Sequence, residues 1–175
     1  MTGCPIEMSQ RGLFGEKGYS TQDDGDNGGL GMPISLEEVL DLANRFHHLV
    51  QIDKGDAAEQ GKFFLYPDAK IFLPHAADVT LHRNYEIHQG LSNERCVNLQ
   101  PWNFQVTSAE PKRARATGNV YWEGVPVGSN SGPIKVIVGE DWIVERVADG
   151  SLKIALYINT HHLVLPDSAP LPRLA

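Results

Sequence analysis

The feature that most constrains the fold of this chain is a change in the spacing of its apolar residues after Pro67. Before that point, apolar residues recur every three or four positions, as on one face of an α-helix. They are Leu36, Val39, Leu40, Ala43, Phe46 and Val50. After it, apolar and polar residues alternate, as in strands with one buried face. The sequence therefore predicts helices first and strands afterwards, an order typical of an α+β domain.

Two capping signals mark where the predicted helices begin. Ser35 and Glu38 form a capping box directly before the apolar stripe, which predicts an amphipathic helix of roughly five turns. Gly55 suits the C-terminal cap of that helix. Asp56 and Glu59 repeat the capping box and predict a short second helix.

The alternating part of the chain predicts a sheet. Lys70–Leu73 is a compact strand, and alternation over 79–89 predicts another. Longer strands follow at about 94–109, 113–125, 134–147 and 151–164. Short connections make neighbouring strands antiparallel, and the last two form a hairpin across Asp149 and Gly150. We expect the helices to pack on one face of a curved antiparallel sheet, as in a cone-shaped α+β barrel.

The ends of the chain differ in composition from its middle. Residues 1–32 are rich in glycine and polar residues and read as an arm, because they cannot bury enough apolar surface to offset their ordering entropy. Residues 166–175 hold three prolines, which exclude a regular strand or helix. The folded domain is therefore expected at 33–165.

Charge and motif content exclude several classes of function. A formal charge of −7 argues against nucleic acid as a partner. No apolar run approaches the roughly 18–20 residues that span a bilayer, so no membrane association is expected. The two cysteines, Cys4 and Cys96, are too few for a disulfide framework and fit a reducing, cytoplasmic compartment. No nucleotide or hydrolase motif occurs, so we expect neither a cofactor nor covalent catalysis.

The seven histidines raise the question of a metal site. His82, Glu86 and His88 share parity in the predicted strand over 79–89, and two imidazoles with a carboxylate form a known metal triad. Along a straight strand, however, the two histidines would lie about 20 Å apart, too far to share an ion. We therefore expect no metal and assign these side chains to a solvated or interface strand face.

Other histidines have positions that limit their roles. His161 and His162 alternate at the end of the last strand, so their rings point to opposite faces and one of them faces the interior. His47 follows Phe46 beside the apolar stripe of the first helix. We expect it to be partly buried and to bond a backbone carbonyl.

The order of elements resembles the cone-shaped fold of SnoaL-like polyketide cyclases, scytalone dehydratase, ketosteroid isomerase and nuclear transport factor 2. The resemblance covers about residues 34–164. The segments IDKGDAAEQGKFF with LYPDAKIFLP and DWIVERVADGSLKIALYINTHHL look like the family, whereas RCVNLQPWNFQV departs from it. The resemblance implies a sheet that wraps around the long helix and leaves an apolar conical cavity with a few polar groups inside.

The same resemblance implies roles for single residues. Asp53 falls where dehydratase-like members place an acidic residue at the cavity mouth. Cys96 stands where those members carry a histidine, and the second histidine expected near 117–119 is absent. The histidine pair of a scytalone-type dehydration is therefore missing, and we do not assign that reaction.

Acid–base chemistry in an apolar cavity needs a titratable group and a partner that orients it. Asp53 is the candidate general base, and His75, His88 and Tyr157 are candidate partners or donors; Asp53 equally suits a role in ending the helix. The candidate ligand-binding residues are Phe46, Val50, Tyr66, Trp102 and Trp122. The alternative for the aromatic residues is a place in the core or in an interface.

Two hypotheses about function follow. The first is a cavity protein that binds a small, largely apolar molecule and catalyses a cofactor-free isomerisation, cyclisation or dehydration. The second is a non-catalytic binding or dimeric assembly module. A deep cavity with a buried carboxylate near His or Tyr favours the first, and a cavity filled by Trp and Phe favours the second. We expect a homodimer through an outer sheet face that carries Val136, Val138 and Val144.

Overall fold

A computed structural model describes residues 31–74, 76–98 and 105–171 of the 175-residue chain. Nearly all of the predicted arm and the last four residues of the predicted tail lie outside these ranges. Within them, three α-helices and seven strands form an α+β domain in which two helices come first, as expected, and the third lies between strands. None of the described helices is long and apolar enough to cross a membrane.

The first helix begins and extends as the sequence predicts. α1 (Leu36–His48) starts at Ser35, whose side chain accepts a hydrogen bond from the Glu38 amide at 3.3 Å. The Glu38 carboxylate accepts one in return from the Ser35 amide at 2.9 Å, which completes the capping box. The helix continues as a π-helical turn at Leu49–Asp53. The two segments together make the five turns expected.

The end of this helix differs from the prediction in one residue. Lys54, not Gly55, adopts the left-handed conformation that ends the helix, with a φ of 57°. Gly55 has a different role, because a Cβ added to it would lie 2.5 Å from the Leu49 side chain. The second predicted capping box is present at Asp56, and α2 (Ala57–Gly61) follows it.

The predicted strand over 79–89 is wrong, because most of it is a helix. β2 (Ala76–Thr80) ends where α3 (Leu81–Gln89) begins. The Thr80 hydroxyl accepts a hydrogen bond from the Arg83 amide at 3.1 Å and caps α3. Leu81 and Asn84 are its buried residues, three positions apart as on one face of a helix. In so short a stretch, the same apolar positions fit both periods, and the cap decides between them.

The other strands follow the predicted order. They are β1 (Lys70–Leu73), β3 (Leu91–Asn98), β4 (Gln105–Ala109), β5 (Arg113–Pro126), β6 (Ile134–Arg146) and β7 (Leu152–Val164). The predicted strand at 94–109 is thus described as two strands, which both pair with β5. The sheet order is β2-β1-β7-β6-β5-β3, and the predicted hairpin joins β6 and β7. The sheet is mixed, because β1 and β7 run parallel.

Two bulges in β7 determine which of its side chains face inward. Ala155 and Thr160 are extra residues that have no partner in the register with β6. Each extra residue reverses the alternation of inward and outward side chains. As a result, Tyr157 and Asn159 are buried. After the second bulge, His162 and not His161 faces the interior cavity.

The core lies between α1 and the concave face of the sheet. Phe46 of α1 is 1% exposed and packs edge-on against Trp142 and Tyr157. A second apolar cluster lies on β5 and β6, where Ala169 of the predicted tail packs against it. The Ala169 amide also donates to the Pro133 carbonyl at 2.9 Å. Leu171 also packs against this cluster, so the chain contributes to the domain as far as Leu171.

One prediction about the sheet faces is wrong. Val136, Val138 and Val144 were expected on the outer face of the sheet, yet they are at most 9% exposed and point inward. The long helix covers the concave face, so the even-numbered residues of β6 are the buried ones. The residues between them form the outer face.

Candidate active site

The curled sheet, α1 and α3 surround a cavity of about 840 Å³. This volume lies in the range of pockets that bind small molecules. Its lining is largely apolar, and the inner faces of β5 and β6 contribute four apolar residues to it: Val120, Ile134, Val136 and Val138. Two groups of polar side chains reach this lining, the second of them only through His88 and Trp122. We call them the inner cluster and the outer cluster.

The inner cluster joins α1 to three strands of the sheet and consists of His47, Cys96, Glu140, Tyr157 and Asn159. The His47 Nε2 atom lies 3.3 Å from the Glu140 Oε1 atom, and the Tyr157 hydroxyl donates to the same oxygen at 2.8 Å. On the other side of the imidazole, His47 Nδ1 is 3.6 Å from the Cys96 sulfur. A buried imidazole thus lies between a carboxylate and a thiol.

The surroundings of the inner cluster shift two pKa values. Burial by itself lowers the pKa of His47, but the negative charge that Cys96 and Glu140 supply outweighs it, and the pKa lies well above its usual value. Burial, followed by the Glu140 carboxylate, raises the pKa of Tyr157 well above its usual range. The phenol therefore stays protonated at neutral pH and remains a hydrogen-bond donor to Glu140.

Two atoms of the inner cluster remain available to a bound molecule. The Oε2 atom of Glu140 and the Nδ2 atom of Asn159 are buried and form no hydrogen bond of good geometry with the described residues; His47 Nε2 forms none either, but it lies within ion-pair distance of Glu140. Glu140 and Asn159 are paired across β6 and β7, so their side chains start from adjacent positions. An unpaired buried polar atom is costly. A ligand with both a donor and an acceptor would satisfy this pair.

The outer cluster is built around Glu94, whose side chain has no exposed surface. Its Oε1 atom forms an ion pair with the Lys54 ammonium. Its Oε2 atom lies 2.7 Å from His88 Nδ1 and accepts a hydrogen bond from Trp122 Nε1 at 3.2 Å. Lys54 also donates to the backbone oxygen of His88 at 2.9 Å. The carboxylate therefore has three partners, which fix its position.

Local backbone features bring these groups together. Asn93, with a φ of 50°, lies in an irregularity of β3 between Ser92 and Arg95, directly before Glu94. Lys54 leaves the π-helical turn in the left-handed conformation. Both residues adopt a positive φ although neither is a glycine. Together these two features bring the Lys54 ammonium and the Glu94 carboxylate into contact.

The His88–Glu94 pair has the geometry of an oriented base. A carboxylate only accepts hydrogen bonds, so His88 Nδ1 carries the proton that it shares with Glu94. This assignment of the tautomer leaves Nε2 as the ring nitrogen that can accept a proton. His88 lines the cavity and its side chain is 17% exposed. The pair can therefore take a proton from a molecule bound in the cavity.

The structure brings five of the predicted site residues to the cavity. They are Phe46, Val50, His88, Trp122 and Tyr157. The predicted interior histidine of the last strand is also present, as His162. Phe46 also belongs to the buried core. For this residue, the ligand-lining interpretation and the core interpretation therefore both hold.

Other predicted residues lie elsewhere. Asp53 does not line the cavity: its side chain is 54% exposed and lies 3.5 Å from His48 Nε2. In a regular helix, Asp53 would fall on the inward face, seven residues after Phe46, but the π-helical turn changes the rotation and buries Val50 and Gln51. Tyr66 is 52% exposed and away from the cavity. His75 and Trp102 lie outside the described residues.

The histidine predictions have mixed outcomes. His82 pairs with Glu86 at 3.4 Å along α3, whereas His88 pairs with Glu94, so the three candidate metal ligands do not converge. Within the described ranges, we find no cluster of three metal-ligating side chains. The prediction that His47 bonds a backbone carbonyl is wrong, because its partners are Glu140 and Cys96.

Sequence reasoning missed the two carboxylates that organise the site. Glu140 had a signal, because it occupies a buried parity position within the apolar run of β6 between Val138 and Trp142. A single carboxylate at such a position indicates a buried partner. Glu94 had no such signal, because the irregularity at Asn93 disrupts the alternation around it.

Comparison with known proteins concerns the fold. No family profile matches the sequence, and no curated protein matches it. Solved structures do match: a nuclear transport factor 2-like superfamily protein from Salmonella enterica covers 78% of this chain and 92% of its own, with a TM-score of 0.54 at 15% identity. The chain has the nuclear transport factor 2-like fold.

Other solved structures with this nuclear transport factor 2-like fold are named as enzymes. LinA matches with a TM-score of 0.57 at 13% identity, over 78% of this chain and 92% of its own. A proposed scytalone dehydratase from Novosphingobium aromaticivorans matches with a TM-score of 0.58 at 11% identity, over 80% of this chain and 95% of its own. Solved proteins with this fold therefore include some that are named as enzymes.

Proposed function

We propose that this protein binds a small, largely apolar molecule in its cavity and catalyses a cofactor-free proton transfer such as an isomerisation, cyclisation or dehydration. The observation that carries the proposal is the 2.7 Å contact between Nδ1 of His88, which lines the cavity, and the buried Glu94 carboxylate behind it. A buried carboxylate beside His or Tyr in a deep cavity favours an enzyme over a non-catalytic binding module. Both Glu94 with His88 and Glu140 with Tyr157 have this arrangement.

In this proposal, His88 Nε2 removes a proton from a carbon or oxygen of the bound molecule. Glu94 holds the ring in the correct tautomer and stabilises the imidazolium that forms. Lys54 and Trp122 hold Glu94. Glu140 Oε2 and Asn159 Nδ2 bind the oxygen function of the substrate, because they are the unpaired acceptor and donor in the wall. The substrate is therefore an apolar skeleton with a hydroxyl group, which pairs with both atoms, or with a carbonyl group, which accepts from Asn159 alone.

The exchange of α-protons tests this proposal without knowledge of the natural substrate. Cyclic ketones are incubated with the protein in D₂O, and NMR follows deuterium incorporation at the carbon next to the carbonyl. We expect enzyme-dependent exchange with at least one ketone, reduced about 100-fold or more in His88→Gln, as for loss of a general base. Asp53→Asn is the matched control and should retain exchange, since Asp53 lies outside the cavity.

Two results would contradict the assignment. Exchange that survives in His88→Gln but disappears in Asp53→Asn would return the role of the base to Asp53. Binding of the ketones without any exchange would favour the alternative, a non-catalytic binding module.

We further propose a homodimer through the outer sheet face. The register aligns four apolar residues there in one row across four strands: Val97, Tyr121, Ile137 and Leu163. Val97 is 42% and Leu163 56% exposed. An exposed apolar row of this kind supports an interface between two copies. Sedimentation of wild type and Leu163→Glu tests it: a dimer that becomes a monomer is expected, and a wild-type monomer at micromolar concentration would refute it.

A further inference from the structure

The inner cluster contains a thiol that the proton-transfer proposal does not use. Cys96 is half-buried on β3, lines the cavity and forms no disulfide. Its sulfur lies 3.6 Å from His47 Nδ1, and His47 Nε2 lies 3.3 Å from Glu140 Oε1. A nucleophile, a base and a carboxylate that orients the base are thus aligned in that order. This is the arrangement by which proteins activate a thiol.

The hydrogen-bond capacities of these groups give the direction of proton transfer. Glu140 only accepts, so we assign the proton of neutral His47 to Nε2, 3.3 Å from Glu140, and Nδ1 can accept the thiol proton. Transfer gives an imidazolium between a carboxylate and a thiolate, and both neighbours stabilise its charge. Tyr157 donates to Glu140 Oε1 at 2.8 Å and keeps that carboxylate in place.

One helix and two strands supply the polar side chains of the inner cluster around Cys96. α1 supplies His47, β6 supplies Glu140, and β7 supplies Tyr157 and Asn159. Glu94 lies two residues earlier on the same strand, where it is paired with Lys54 and His88. Among the described residues, His47 is the titratable group that a 3.6 Å contact joins to the thiol, and it can accept the thiol proton.

We propose that Cys96 is a nucleophile, activated by His47 and Glu140, that adds to small apolar α,β-unsaturated carbonyl compounds in the cavity. Sulfur is a soft nucleophile that suits the β-carbon of such compounds, and the apolar wall admits their uncharged skeleton. The Nδ2 atom of Asn159 is buried beside Tyr157 and forms no hydrogen bond of good geometry with the described residues, so it is the donor available to the carbonyl oxygen.

The addition is balanced without any oxidant or reductant. The thiol proton moves to His47 Nδ1, and the sulfur forms a bond to the β-carbon. The electron pair of the carbon–carbon double bond moves to the α-carbon and carbonyl oxygen, where Asn159 stabilises the enolate. His47 then returns the proton to the α-carbon. The product is a thioether on Cys96, and the reverse sequence releases the unsaturated compound.

The test follows alkylation of the full-length chain by N-ethylmaleimide, an α,β-unsaturated imide, by mass spectrometry. The chain carries Cys4→Ser, so that Cys96 is its single thiol. Rates are measured from pH 5 to 9 beside N-acetylcysteine, a free thiol. An unperturbed thiol with a pKa of about 8.5 loses close to tenfold in rate per pH unit at acidic pH. For Cys96 we expect at least a tenfold higher rate than the free thiol at pH 6, and a much flatter profile.

Two variants assign the activation to the aligned residues. His47→Gln and Glu140→Gln should each lower the rate at pH 6 by at least tenfold, while His161→Gln, on the opposite face of β7, should not change it. Circular dichroism monitors the folding of each variant. The wild-type profile is decisive even if a variant fails to fold: no adduct, or a profile parallel to that of the free thiol, overturns the proposal. Because this assay needs neither ketone exchange nor His88, its outcome is independent of the proposed proton transfer.

Discussion

Replacement of Glu94 by glutamine isolates the contribution of the outer cluster to stability. Glutamine keeps the shape of the side chain but removes its negative charge. Lys54 then loses its ion pair, and His88 and Trp122 lose a charged acceptor. Because the Glu94 side chain has no exposed surface, water cannot replace these contacts without opening the structure.

The expected cost follows from these contacts. Removal of one partner from a buried ion pair typically costs about 3–5 kcal/mol. Lys54 is 25% exposed and keeps its bond to the His88 carbonyl, so it recovers part of its solvation. We therefore expect a loss of about 3 kcal/mol in the free energy of unfolding, at the lower end of that range. For a domain of this size, that loss corresponds to a fall in Tm of about 10 °C.

Urea denaturation followed by tryptophan fluorescence measures this loss. Asp41→Asn is the matched control, because Asp41 forms an ion pair with Arg45 at 2.8 Å but is 64% exposed. Exposed pairs on a helix contribute only about 0.3–0.5 kcal/mol. A double-mutant cycle with Lys54→Met then gives the coupling energy between Lys54 and Glu94. If Glu94→Gln costs no more than Asp41→Asn, the reasoning from burial is refuted.

Two further predictions concern stability. Arg146 and the Ser35 amide lower the pKa of Glu38 from 4.5 to about 2, so Glu38 stabilises the fold above about pH 4.5, and this contribution disappears as the pH falls to 2. Its exposure reduces the effect to about 1 kcal/mol; acid titration of wild type against Glu38→Gln should show this difference near pH 6, and equal differences at pH 2.5 and 6 would contradict it. Gly124→Ala should cost about 1–3 kcal/mol in urea denaturation, because its Cβ would lie 2.9 Å from the Trp122 ring. Gly31→Ala, with no atom within 4 Å, is its control, and equal stability of the two variants would show that the ring can move.

The sequence predicted those parts of the fold that depend on neighbouring residues. The capping box at Ser35 and the turn at Gly150 are satisfied within a few positions of the chain, so their residue types were sufficient evidence. The strand predicted over 79–89 was wrong because helical and strand spacing coincide in so short a stretch, and the Thr80 cap was overlooked. The capping residues thus mark the start of each of the three described α-helices.

The candidate site was only partly predictable. Tyr157 and His88 were identified as polar groups near a cavity, but their carboxylate partners, Glu140 and Glu94, were not. Asp53 was expected at the cavity, and one π-helical turn places it in solvent instead. Such a turn depends on the packing of α1 and not on a residue pattern.

By itself, the sequence thus determined the two capped helices at the start of the domain, the long strands that follow and the hairpin between the last two. The tertiary structure alone decided which polar side chains enter the cavity. Two bulges in β7 send Asn159 and His162 inward, and an irregularity in β3 precedes Glu94. A shift of one residue reverses the face of every side chain that follows. Such shifts are selected by contacts between distant strands, and alternation along one strand cannot reveal them.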